Sequence, residues 1–284
     1  MRKVVVLGCA GMAGHVMAAY LRATHEFDVI GVARGPCAGA TESLDVLDFA
    51  ALEQALVRIQ PDYVINCIGV LVSKSANDIG TAIQINSYLP HFLSRLGKQI
   101  NFKLIHISTD CVFSGKQGGY SEGAFRDGDD NYARTKALGE VINDRDLTIR
   151  TSIIGPELKR NGTGLMDWFL KQQSEIHGYA QAYWSGVTTL ELAKATHAFI
   201  QQNIAGLYHL CYREKISKYN LLKLFAAVWG KTITITPAEG YVVDKSLVCS
   251  RQDFDYAVPD YETMLIDMHA WMEAHPDLYL HYPS

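Results

Sequence analysis

Val4-Val5-Val6-Leu7-Gly8-Cys9-Ala10-Gly11-Met12-Ala13-Gly14, close to the start of the chain, decides the fold. Val4 to Leu7 is an unbroken apolar run, as expected of a strand covered on both faces. Three glycines follow at three-residue spacing, and a helix is expected from there through about Ala23. Gly8 permits a tight turn. Gly11 lets the backbone approach a pyrophosphate, and Gly14 lets the helix close onto the strand. The helix N-terminus favours the phosphate charge. A bland turn needs none of this context.

Working outward, a second strand is expected over Val29 to Ala33, ending at Arg34. An acid often stands here to hold a ribose 2′-hydroxyl, and an arginine can meet a 2′-phosphate instead. Arg34 therefore points to NADPH, with NADH left open. Asp45 and Val46 lie past a Gly/Ala-rich loop, either at the adenine or in the cap region of a helix over Phe49 to Ile59. Tyr63 to Gly69 reads as a third buried strand. A long helix is expected from about Asp78 to Lys98, kinked at Pro90. Strand Leu104 to Ser108, helix Asn131 to Asn143 and strand Leu147 to Thr151 follow. Such alternation implies an α/β fold, a Rossmann-type parallel sheet flanked by helices. After Gly155-Pro156 the rhythm breaks. Helices are expected over Leu165 to Gln172, Leu190 to Gln201, Lys218 to Trp229 and Tyr261 to Ala274, with strands at Gly206 to Leu210 and Thr232 to Ile235. Residues 1–155, with about 187–210 returning, are expected to form the NADP-binding domain. Residues 156–186 and 211–284 are expected to form a smaller C-terminal substrate-binding lobe.

The chemistry is concentrated in Ile105-His-Ile-Ser-Thr109-Asp110-Cys111 and in Tyr132-Ala-Arg-Thr-Lys136. Residues four apart share a helix face. A hydroxyl at a strand end, a phenol and an ammonium are then brought together, as proton transfer to a carbonyl oxygen requires. Free tyrosine has a pKa of about 10. Lys136, one turn away, is expected to favour the phenolate, and Thr109 to steady the oxygen as charge develops. Alone, Tyr-x-x-x-Lys fits any surface helix and Thr109 a strand-end cap. The glycine-rich start upstream favours the chemical reading.

Composition sets outer bounds. The 284 residues are 48% hydrophobic and 20% charged, with net charge −4, an ordinary globular profile that argues against a nucleic-acid binder. Six cysteines without a C-x-x-C pair read as reduced thiols in the cytoplasm. No run suits a signal peptide or a membrane span, and no residue is assigned to a metal.

Gly8-x-x-Gly11-x-x-Gly14, Ser108-Thr109-Asp110-Cys-Val112-Phe113-x-Gly115 and Tyr132-x-Arg-Thr-Lys136-x-x-Gly139-Glu140 together resemble the extended short-chain dehydrogenase/reductases. Within them the resemblance is to the dTDP-4-dehydrorhamnose reductase branch, over about the first 155 residues. It implies NADPH-dependent reduction of a 4-keto group on a nucleotide-linked deoxysugar. It gives Thr109, Tyr132 and Lys136 the catalytic roles, with Tyr132 as general acid and Lys136 also on the nicotinamide ribose. It places Gly11, Met12, Asp45, Val46, Cys67, Ile68 and Gly69 at the cofactor and Asp110 at the sugar.

There are departures. Cys111 stands where the branch usually has Tyr, and Ile153, at a sugar-facing position, where it often has Trp. Cys111 also replaces the Glu of the related 4,6-dehydratases, which argues against water elimination; as a residue it reads as a small buried hydrophobe. For the diphosphate of the substrate, Arg251 is preferred among Lys159, Arg160, Arg213 and Lys215. Trp168, Tyr183 and Trp184 are candidates to stack on a base, with core packing preferred for Trp168. Two further readings stay open: a non-catalytic regulatory subunit on the same fold, similar to the β subunit of methionine adenosyltransferase, and an epimerase with tightly held NAD. A homodimer is also an open option.

Overall fold

The computed structural model describes residues 1–254 and 256–282. Strands β1 (Arg2–Leu7), β2 (Phe27–Ala33), β3 (Glu42–Ser43), β4 (Tyr63–Asn66), β5 (Lys103–Thr109) and β6 (Leu147–Thr151) join Gly206–His209 in one seven-stranded sheet. All its pairings are parallel, and β1 lies between β2 and β4. Each parallel neighbour requires a crossover, and helices supply most of them.

Strand periodicity sorts the core into two layers. Val4 and Val6 join one buried cluster with Ile105, Ile107 and Ile149, while Val5 and Leu7 join another with Val64 and Leu104. Successive side chains point to opposite faces of a strand, so an unbroken apolar run is a strand buried on both. Helices Met12–Ala23 and Thr189–Gln201 cover the first face, and Phe49–Ile59 and Leu89–Ile100 the second.

Past residue 152 the chain adds small sheets. Ile153–Ile154 pairs with Val187–Thr188, and Ala182–Trp184 lies between Ile216–Ser217 and Val243–Asp244. The strand expected at Thr232 to Ile235 instead occupies Ile235–Ala238, parallel to Ile176–Tyr179. Its Pro237 has no N–H for a ladder, which suits a strand paired on one side.

Two expected helices differ. The long one is broken into Val72–Asn77, Ile79–Ala82, a π-helical stretch Ile83–Tyr88 and Leu89–Ile100. Pro90 cannot donate to Asn86 and would crowd its carbonyl, and a widened turn accommodates this. The helix expected through Asn143 stops at Leu138. A Cβ on Gly139 would lie 1.8 Å from the Asn86 carbonyl oxygen, so the two segments touch backbone to backbone there.

Candidate active site

The glycine turn is built as a phosphate cradle. Gly8 has φ +84°, and a Cβ on Gly14 would lie 2.2 Å from the Gly8 carbonyl oxygen. Gly11 caps helix Met12–Ala23 with no side-chain hydrogen bond, and the first turn carries no acid. Its free amides thus remain available to an anion. Ile68 reaches within 2.8 Å of a Cβ position on Gly8, which brings the Cys67–Gly69 loop against the turn. Arg34 is exposed just past β2 and forms no ion pair among the described residues. Asp45 is exposed and accepts from the Leu47 amide, while Asp48, not Asp45, caps helix Phe49–Ile59. Val46 is buried in the second core layer.

Thr109 ends β5 and is buried. Its Oγ1 accepts from the Cys111 amide at 3.1 Å, so it also caps the short turn Asp110–Val112. Tyr132 faces Thr109, Asp110 and Cys111 from helix Asn131–Leu138. Burial, reinforced by Cys111, pushes the Tyr132 phenol above its ordinary pKa. This corrects the expected influence of Lys136. Its Nζ donates to the Ile107 carbonyl at 2.7 Å and stands 3.4 Å from His106 Nε2. Burial pushes the Lys136 ammonium down to about 8. The upward shift favours the protonated phenol, the form a general acid needs.

The supports of this helix come from distant segments. Asn86 accepts from the Val70 amide and donates to Val70 O and Thr135 Oγ1, and Ser87 donates to Thr135 O. Past Gly139, the Glu140 carboxylate binds Arg150 at 2.8 and 2.7 Å, Ser108 at 2.8 Å and Arg126 at 3.0 Å. Burial works against that charge, but Arg150 overrides it and holds the Glu140 pKa below the carboxylate range.

A cavity of about 790 Å³ opens at Asp110 and Cys111. Trp168, Tyr179, Tyr183 and Tyr241 make its aromatic walls, and Lys218 and Lys245 contribute its two cationic side chains. Both lysines face Asp110 and Cys111, and neither forms an ion pair among the described residues. Burial pushes the Asp110 carboxyl up, and the Cys111 thiol to about 12.

Several expected contacts lie elsewhere. Arg251 is not at the cavity: it pairs with Asp253 and donates to the carbonyls of Ala205 and Leu207 at the sheet edge. Lys215 pairs with Asp244. Ile153 packs on the main core, and its neighbour Ser152 lines the cavity instead. Trp168 and Trp184 both line the cavity, but Trp168, expected in the core, is 40% exposed, whereas Trp184 is buried. Lys218 and Lys245 escaped the sequence reading, because an isolated lysine carries no local mark of its surroundings. Among the described residues no group of three or more His, Cys, Asp or Glu is placed to hold a metal, and no helix is long and apolar enough to cross a membrane.

Comparison with known proteins decides the family. The model of the RmlD substrate binding domain matches residues 1–242. The chain belongs to this family. Its members form a branch of the extended short-chain dehydrogenase/reductases, the branch the glycine turn and the Tyr132–Lys136 motif resemble. A dTDP-4-keto-6-deoxy-D-glucose reductase of Streptomyces niveus is 25% identical over 236 residues, 80% of this chain and 78% of that protein. A solved dTDP-4-dehydrorhamnose reductase of Bacillus anthracis in complex with NADP aligns with TM-score 0.83 and 20% identity, over 95% of this chain and 99% of that one. A structure described as a hypothetical dTDP-4-dehydrorhamnose reductase from Sulfolobus tokodaii aligns with TM-score 0.78 and 26% identity, over 92% and 98%. The RmlD-family chain thus carries the sheet of the solved dTDP-4-dehydrorhamnose reductases.

Proposed function

We propose that this chain is an NADPH-dependent reductase of a keto group on a nucleotide-linked deoxysugar. The observation that carries the reading is the Tyr132 phenol set against Thr109, Asp110 and Cys111, the last two lining a cavity with aromatic walls and two lysines. Tyr132 donates its proton to the developing alkoxide, and Thr109 steadies the same oxygen. Asp110, beside them, faces the sugar. NADPH, when bound, supplies the hydride. Lys136 is placed to swing from Ile107 O toward a cofactor ribose.

In this reading residues 1–155 and about 187–210 hold the cofactor, with Gly8, Gly11, Met12 and Gly14 at the pyrophosphate and Arg34 at the 2′-phosphate. Asp45, Val46 and the Cys67, Ile68 and Gly69 loop lie along the adenosine and nicotinamide. Residues 156–186 and 211–284 hold the substrate. Lys218 and Lys245 take the diphosphate in place of Arg251, and Trp168, Tyr179 and Tyr241 offer faces to the base.

The cofactor assignment is tested by Arg34→Ala. Loss of a charge-assisted contact predicts NADPH binding weaker by about 10- to 100-fold with NADH nearly unchanged, as equilibrium titration reads it. Equal weakening of both cofactors would remove Arg34 from the 2′-phosphate.

A further inference from the structure

Cys9 and Cys37 are 28 residues apart in sequence, yet their sulfurs stand 4.0 Å apart. Cys9 lies in the glycine turn and is fully buried. Cys37 lies three residues past Arg34 and is partly exposed. The contact is built by its surroundings. Gly31 has no side chain where the Cys9 sulfur sits, since a Cβ there would be 3.0 Å from it. Arg22 donates to Gly39 O at 2.8 Å and Val29 O at 3.1 Å, and the Ala40 amide bonds to Cys37 O. The Cys37 loop is thereby held against β2 and the turn.

We propose that Cys9 and Cys37 form an oxidisable dithiol that closes to a disulfide across the adenosine end of the cofactor site. The two sulfurs need to approach only from 4.0 Å to about 2.05 Å. The oxidant is a peroxide. Cys37, the accessible thiol, attacks as thiolate; the peroxide O–O bond breaks, leaving Cys37 as a sulfenic acid and releasing one water. The Cys9 sulfur then displaces the sulfenic oxygen as a second water. Two thiols and one peroxide become one disulfide and two waters. Burial pushes the Cys9 thiol up to about 12, which fits the second, resolving role better than the first.

The bridge draws residues 35–40 toward the Gly8–Gly11 turn. That movement narrows the space between the ends of β1 and β2, where the adenosine half of a dinucleotide lies in this fold. The effect on cofactor rests on the proposed NADPH dependence; the bridge itself does not. Binding and oxidation then oppose one another, so bound NADP⁺ disfavours oxidation of the pair by the same factor.

The experiment treats reduced full-length protein with hydrogen peroxide, counts free thiols and maps cross-linked peptides by mass. Two of the six thiols are expected to disappear into one intramolecular Cys9–Cys37 peptide pair, restored by dithiothreitol. NADPH affinity, first measured on the reduced protein, is expected to fall by about tenfold or more on oxidation, within the usual range of linked-site coupling. Cys37→Ser is expected to bind NADPH normally and to resist this loss. Six thiols surviving, or a bridge mapped elsewhere such as between exposed Cys249 residues of two molecules, overturns the dithiol. A Cys9–Cys37 bridge with unchanged NADPH affinity overturns the closure. A reduced protein that fails to bind NADPH counts against the proposed cofactor alone, and the peptide map still decides the bridge.

Discussion

Tyr132→Phe is expected to lower kcat by about 10²- to 10⁴-fold, the usual contribution of a positioned general acid. The substitution removes one oxygen and leaves the ring. The supports of its helix come from Asn86 on the Thr135 hydroxyl and from Ser87 and Asp130 on the backbone, and none involves the phenol. Thermal stability and NADPH affinity should therefore change little. The split between a large kcat loss and near-normal cofactor binding separates an acid from a packing residue. Turnover within a few fold of the parent protein would show that the proton comes from elsewhere.

Glu140→Ala is expected to destabilise the fold by about 3–5 kcal/mol, the cost of leaving a buried charge without its partner. Arg150 is 1% exposed and would keep its guanidinium in the core with the His209 ring, an Nη1 contact at 2.7 Å, the Glu122 carbonyl at 3.5 Å and the Phe113 face beside it, and no anionic partner among the described residues. Ser108 would lose its acceptor one residue before Thr109. Denaturant unfolding reads the stability loss. The pH dependence has a defined sign. The Glu140 carboxyl sits below its unfolded pKa, so its stabilisation is present above about pH 4.3 and is lost as pH falls through the folded value. The parent protein should lose stability toward acid more steeply than the variant. Equal slopes would show that this network contributes nothing there.

Much of the frame was legible because it follows local periodicity. The Val4–Leu7 run, the glycine spacing and the Tyr132–Lys136 turn each state their geometry within a dozen residues. What was misread depends on contacts remote in sequence. Nothing near Gly139 announces that Asn86 stops the helix there. Lys136 was placed on the correct helix, but its ammonium is captured by Ile107 O of the adjacent strand. Arg251 reads as a phosphate ligand until Asp253 and two edge-strand carbonyls engage it. The cavity draws on segments from Asp110 to Lys245, so its two lysines and the exposed face of Trp168 emerge only in three dimensions. The Cys9–Cys37 contact is of the same kind.

The account turns on ketone reduction by NADPH, and one measurement addresses that directly. Purified protein is mixed with NADPH and a panel of 4-keto nucleotide deoxysugars, and the loss of reduced-cofactor absorbance is followed. The account predicts oxidation of NADPH matched one-for-one by a reduced sugar with at least one member of the panel, and none with the Tyr132→Phe protein. Tight NADPH binding with no oxidation across the panel would contradict it, and would leave a nucleotide-binding subunit on a reductase fold.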